Sequence, residues 1–282
     1  MCKKSASKMK KFVDIEKVIR DKNPKLLEWL PGFVLRYIKK ITHEEDLNQS
    51  MAKLHDKKGV EFCTAALEEL NITVRSKGLE NIPRQGGCLF VCNHPLGGMD
   101  ALAIVHEVYA IRPDIKFIVN DVLMNIENVK MLFQGVNKHG KTAKESLKKV
   151  TELFASDQAL FIFPAGLVSR KRNGKIEDLE WKKTFITQAK KNKKPVLPVY
   201  VTGRLSNFFY RLANIRTFLG IKSNIEMMYL ADEMYKQKNV VIDLVFGEVI
   251  APETFDSSKS DWEWAQWVKA KTYQLKKKLL TP

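Results

Sequence analysis

Gly87-Cys88-Leu89-Phe90-Val91-Cys92-Asn93-His94-Pro95-Leu96-Gly97-Gly98-Met99-Asp100 runs without interruption into Ala101-Leu102-Ala103-Ile104-Val105. Residues 88–92 are apolar, few in number and follow a Gly pair, which predicts a buried strand. The apolar run from Ala101, with His106 and Glu107 after it, predicts a helix beginning near Asp100. Between the two lies a tight Pro/Gly turn carrying one His and one Asp. Such a turn presents backbone N–H groups at the positive end of a helix, where an anionic group is stabilised. A His with one ring nitrogen held by an Asp is fixed in the tautomer that accepts a proton from a hydroxyl or amine. Taken alone, the turn reads more readily as a capping Asp100 beside an incidental His94. The blocks that follow it weigh against that simpler reading.

Asn93-His94 with Asp100 downstream resembles the first motif of the glycerol-phosphate acyltransferase superfamily, the lysophosphatidic-acid-acyltransferase-like enzymes. In that family the His is the general base and the Asp orients it. Five residues separate His94 from Asp100 where the family usually has four. Gly97-Gly98 can absorb the additional residue, because Gly reaches turn geometries closed to other residues. The longer turn is similar to that of a hemolysin-like bacterial branch.

Two further blocks occur in family order. The predicted strand Ala159-Leu160-Phe161-Ile162-Phe163 leads into Pro164-Ala165-Gly166-Leu167-Val168-Ser169-Arg170 and two more cations. This resembles the third motif, Phe-Pro-Glu-Gly followed by a small polar residue and Arg, which binds the acceptor's phosphate. Phe163, Pro164, Gly166, Ser169 and Arg170 fit it, and Ala165 replaces the Glu. A Gly turn after a buried strand, followed by cations, makes an anion cradle, and it is also how a solvated basic loop reads. Pro195-Val196-Leu197-Pro198-Val199-Tyr200-Val201 predicts another buried strand and resembles the fourth motif. Phe133-Gln134-Gly135-Val136-Asn137 occupies the place of the second motif but lacks its Arg, and no site residue is taken from it.

Composition narrows the partners. The 282 residues carry 48 Lys+Arg against 32 Asp+Glu, a net +16. An excess of that size points to an acidic partner, whether nucleic acid, an anionic membrane or an acidic carrier protein. Cys2, Cys63, Cys88 and Cys92 show no C-x-x-C spacing, which suggests a reducing compartment. Cys92 and His94 would share a face only if the strand continued through Pro95, so Cys92 reads as structural. The basic start, Met1 to Lys8, is not followed by the apolar core of a secretory signal, and no stretch is apolar enough to span a membrane. No Cys/His spacing suggests zinc.

Elsewhere the pattern alternates helix and strand. A loose basic tail over 1–11 precedes a short helix over 14–21. Leu26, Leu27, Leu30, Phe33, Val34, Tyr37, Ile38 and Ile41 then recur at helical spacing with a break at Pro31-Gly32. Residues 203–220 thread Arg204, Arg211 and Arg216 among Phe208, Phe209, Tyr210 and Phe218. Both segments read either as helices packed on the core or as interfacial helices at a lipid headgroup layer. Helices are also expected over 44–70, 101–110, 141–156, 181–189 and from Ser260 or Asp261, with strands at 72–75, 116–119 and 240–249.

The expectation is an α/β fold with a mixed sheet flanked by helices. Residues 1–70 form a basic tail and amphipathic helical segment, and 71–282 an acyltransferase domain with a C-terminal helix. The resemblance implies transfer of a fatty acyl group from acyl-carrier protein or acyl-CoA to the hydroxyl of a lyso-lipid such as 1-acyl-glycerol-3-phosphate. His94 and Asp100 would be catalytic. Asn93, Gly97, Gly98, Pro164, Gly166, Ser169 and Arg170 would bind substrate, with the Gly97 and Gly98 N–H groups facing the oxyanion. No cofactor or metal is implied, and the enzyme would lie on the cytoplasmic face of an anionic membrane. Two other readings stay open: O-acylation of a lyso-aminoacyl lipid of ornithine or glycine type, which the absent Glu favours, and a non-enzymatic basic binder of membrane or nucleic acid. Hydrolysis in place of transfer is a more remote third.

Overall fold

The computed structural model describes residues 11–120, 123–124, 126–136 and 143–280, without the side chains of Lys22, Ala143 and Lys144. The basic tail to residue 10, Cys2, and Asn137 and Lys138 of the would-be second motif lie outside the described residues.

Seven strands form one sheet: β1 (Thr73–Lys77), β2 (Cys88–Cys92), β3 (Lys116–Asn120), β4 (Phe133–Val136), β5 (Ala159–Ile162), β8 (Val196–Val201) and β9 (Val241–Phe246), in the order β1-β9-β8-β2-β5-β3-β4. All neighbours are parallel except β8 and β9, so the sheet is mixed, as expected. β6 (Arg170–Arg172) and β7 (Lys175–Glu177) make a separate hairpin turning at Asn173-Gly174.

β2 is buried along its whole length because helices cover both faces. Cys88, Phe90 and Cys92 point into one apolar cluster with α5 (Gly59–Glu69), α6 (Gly98–Val108) and α9 (Asn207–Phe218). Leu89 and Val91 point into a second with α7 (Ala143–Ala155), α8 (Thr184–Asn192) and α11 (Asp261–Gln274). The period of two along a strand, with both faces covered, is why this segment reads as a continuous apolar run.

The segment before residue 71 comprises α1 (Ile15–Lys22), α2 (Pro24–Trp29), α3 (Gly32–Ile41), α4 (Glu44–Lys53) and α5. The single helix expected over 44–70 is interrupted at 54–58, where the Asn128 side chain donates to the carbonyls of Leu54 and Lys57. Leu54, Phe62, Cys63 and Leu67 belong to the same apolar cluster as Phe90. The helical segment therefore does not stop short of the core at residue 70: its last helix helps to build it. α2 has no buried residue, and Trp29 and Phe33 are 82% and 67% exposed, so packing on the core is not what these aromatics do. α9 divides: Phe209, Tyr210 and Ala213 are buried, whereas Phe208, Ile215 and Phe218 are exposed.

Candidate active site

Parallel strands β2, β5 and β8 end side by side, and open α/β sheets place their sites beyond such carboxyl ends. The turn leaving β2 is set by two features. The Asn93 side chain reaches the end of β8, donating to the Val201 carbonyl at 2.9 Å and accepting from the Val201 N–H at 2.7 Å. Gly97 then caps α6 with φ +71°, a left-handed value that disfavours side chains. The helix consequently begins at Gly98, two residues before the expected start at Asp100.

Asp100 turns back from the first turn of α6 toward the residues that precede it. Its carboxylate accepts from the Leu96 N–H at 3.1 and 3.2 Å and pairs with His94 Nδ1 at 2.8 Å. Asp100 is fully buried while the His94 side chain is 18% exposed. Burial raises the Asp100 carboxyl above its usual range, against the opposing effect of the His94 hydrogen bond. Phe163, from the end of β5, stacks on the His94 ring with centroids 4.1 Å apart. With Nδ1 on the carboxylate, Nε2 is the basic position of the ring, which suits a general base for a hydroxyl proton. Gly98, the first residue of α6, is exposed, and a β-carbon there would meet nothing within 4 Å, so the start of the helix has open space beside it.

Asn93 is not disposed as a substrate ligand. It is 2% exposed and both ends of its amide are engaged by Val201, so it fixes the turn from a buried position. Arg170 also departs from the expected open cradle. It is 5% exposed, donates to Glu226 at 2.8 Å and to the Val168 carbonyl at 2.6 Å, and lies over the Phe209 ring. Burial lowers its pKa, with Glu226 acting in the opposite direction. Glu226 also meets Arg216 of α9 at 2.9 Å. Two guanidiniums therefore share one fully buried carboxylate. Beside them a cavity of about 290 Å³ is lined by Leu167, Arg170, Arg172, Leu179, Asn214 and Arg216 among others.

Ser169 is 1% exposed, and its N–H donates to the His94 carbonyl at 2.8 Å. The structure thus brings His94, Asp100, Asn93, Gly97, Gly98 and Ser169 together, with Pro164 at the end of β5. Gly166, at φ +70°, turns the chain from that strand toward the β6–β7 hairpin. Cys92 is fully buried, and its thiol is raised well above the usual range by burial and then by Asp100 and Asp178. It is structural, as expected.

Sequence reading missed Glu226 and Asp178, both buried, and the half-buried Tyr273, each brought to the site from a distant part of the chain. No motif marks them. The available signal was Asp178-x-x-Trp181 after the hairpin, where the indole Nε1 donates to Asp178 Oδ2 at 2.9 Å.

Comparison with known proteins identifies the family. Residues 17–281 match the acyltransferase family model. A lyso-glycine lipid O-acyltransferase of Bacteroides thetaiotaomicron is 46% identical over 94% of this chain and 97% of that protein. One of the same description from Phocaeicola vulgatus is 44% identical over 94% and 95%. Among solved structures, the 1-acyl-sn-glycerophosphate (LPA) acyltransferase of Thermotoga maritima is 19% identical, covers 95% of this chain and 99% of that one, and gives a TM-score of 0.49. With the family model spanning residues 17–281 and relatives this similar, the protein belongs to the acyltransferase family and is an acyltransferase.

Proposed function

We propose that this acyltransferase moves a fatty acyl group from an acyl thioester to the hydroxyl of a lyso-aminoacyl lipid of the glycine type. The observation that carries the chemistry is the His94–Asp100 pair, with its buried carboxylate and partly exposed imidazole. His94 Nε2 takes the acceptor hydroxyl's proton as that oxygen attacks the thioester carbonyl. The N–H groups at the start of α6 stabilise the resulting oxyanion. The intermediate collapses with cleavage of the C–S bond, and the departing thiolate recovers the proton from the imidazolium. Asp100 holds the ring and balances its charge throughout.

Two facts support an aminoacyl acceptor over 1-acyl-glycerol-3-phosphate. Relatives of 44–46% identity are named for lyso-glycine lipid. Ala165, where the resemblance calls for Glu, is buried in an apolar cluster. Glycine joined through its nitrogen keeps a carboxylate, a smaller and less charged anion than a phosphomonoester. Arg170 and Arg216 against the single Glu226, with exposed Arg172, give the adjoining cavity the net positive charge to hold it.

The lipid substrate also gives a use to the exposed aromatics. Tyr37 of α3 bonds Tyr229 hydroxyl to hydroxyl at 2.7 Å, and Phe208 of α9 packs edge-on to Tyr229 at 5.0 Å. Those contacts join α3 and α9, which with α2 expose Trp29, Phe33, Phe208 and Phe218 together with the cations Arg36, Lys40 and Arg211, a composition suited to an anionic lipid surface. Among the described residues no helix is long and apolar enough to cross a membrane.

The test is transfer of labelled acyl groups from acyl-carrier protein and from acyl-CoA to lyso-glycine lipid and to lysophosphatidic acid, with His94→Ala as control. Product on lyso-glycine lipid is expected. Product on lysophosphatidic acid alone would replace the acceptor, and turnover retained by His94→Ala would remove the base.

A further inference from the structure

We infer that Asp178 is a positioning residue for His94, acting on the backbone of the catalytic turn and not on the imidazole. The inference rests on the reading of His94 as general base. Asp178 follows β7 and is 4% exposed, a buried carboxylate separate from the His94–Asp100 pair. Its Oδ1 accepts from the His94 backbone N–H at 3.2 Å and from the Ser169 hydroxyl at 2.6 Å. Ser169 in turn donates its own N–H to the His94 carbonyl at 2.8 Å. The two peptide groups flanking the His94 Cα are therefore gripped from the same side, one by Asp178 and one by Ser169, and those two grip each other.

The far side of Asp178 is anchored as firmly. Oδ2 accepts from Trp181 Nε1 at 2.9 Å, the Asp178 N–H donates to the Tyr273 hydroxyl at 2.7 Å, and its carbonyl accepts from Lys269 Nζ at 2.6 Å. Trp181 is fully buried, and Tyr273 and Lys269 belong to α11. Asp178 thus ties the His94 turn to the C-terminal helix through the β6–β7 hairpin. A general base works only within hydrogen-bond reach of the proton it takes, and misplacement by about 1 Å costs about a hundredfold in rate. Asp100 fixes the ring's rotation, while the grip by Asp178 and Ser169 fixes where the ring's Cα stands.

Asp178→Ala and Asp178→Asn in the full-length protein test this, read by acyl transfer at saturating donor and acceptor. Asp178→Ala is expected to lower kcat about a hundredfold with acceptor and donor KM within about twofold. Asp178→Asn keeps an oxygen for the His94 N–H but turns an NH₂ toward the Trp181 N–H, and should fall between Ala and the parent. Val268→Ala, on the buried face of α11, supplies the comparison: it lowers Tm without moving kcat. A kcat for both Asp178 variants equal to that of Val268→Ala would overturn the inference, as would a raised acceptor KM with kcat unchanged. If Asp178→Ala does not fold, Asp178→Asn decides by the same readouts. His94→Ala run alongside keeps the two claims apart. An inactive His94→Ala with fully active Asp178 variants defeats only the positioning role, whereas an active His94→Ala defeats the base itself.

Discussion

Behind His94 and across the face formed by α2, α3, α9 and residues 225–229, the molecule follows opposite rules. In the first region Asn93, Asp100, Ser169 and Asp178 are all buried, and each makes side-chain hydrogen bonds to partners from other elements. In the second, Trp29 is 82% and Phe218 89% exposed. A satisfied buried polar network is stiff, because leaving any member unpaired costs about 1–3 kcal/mol. Exposed aromatics sacrifice about 25 cal/mol for each Å² left in water, a penalty that disappears when the face meets lipid. One region holds the proposed base still; the other leaves its aromatics open to the lipid surface proposed for it.

The largest expected effect breaks the first region at its centre. His94→Ala should reduce acyl transfer by about three orders of magnitude with an unchanged Tm, and Asp100→Asn by about two, measured as kcat under saturating substrates. Next is the ion pair between the regions. Glu226→Gln leaves Arg170 and Arg216 facing each other without a carboxylate, and should cost about 3 kcal/mol in chemical denaturation. An unchanged midpoint would mean that the two guanidiniums find other partners. On the exposed face, Trp29→Glu with Phe218→Glu should lower flotation with anionic vesicles about tenfold while leaving Tm and turnover of detergent-dispersed acceptor near those of the parent. Loss of stability in place of flotation would return these residues to the core.

The smallest effect concerns how the N-terminal helices are tied down. His43, at φ +50°, pairs with Asp46 at 2.7 Å and reaches Asp232 of α10 (Leu230–Tyr235) at 3.0 Å. Burial opposes its charge, but the hydrogen bonds to Asp232 and Asp46 outweigh burial and raise its pKa above 6.5. The stabilisation is therefore complete below pH 6.5 and lost as pH rises through the raised value. His43→Gln should flatten that part of the Tm–pH curve, and an unaltered curve would remove His43 as its source.

The parts of this molecule that sequence discloses are those made by neighbours in the chain. β2 matches its expected residues, because five apolar residues between a Gly pair and a Pro/Gly turn leave little alternative. His94 and Asp100 are six positions apart and bridged by one turn, so their pairing could be anticipated. β4 was not, since four residues after an aperiodic stretch carry no alternation to read. Asp178 lies 84 positions from His94 and Glu226 56 from Arg170, distances at which only the folded sheet brings them together. Arg170 illustrates the gap: its sequence neighbours read as an anion cradle or a solvated basic loop, and neither reading discloses that Glu226 holds it buried.

Cys92 stands two residues from the proposed base, on a chain proposed to handle acyl thioesters. A thiolate there would compete with the acceptor hydroxyl, since transthioesterification is faster than ester formation and would leave the acyl group stranded on the protein. Full burial in β2, with the thiol held in its protonated form, withholds that competitor. Cys63 and Cys88 are buried too, their thiols pushed up to about 12. On the proposed mechanism, the fold that carries His94 thus also keeps the thiols of Cys63, Cys88 and Cys92 away from the acyl group.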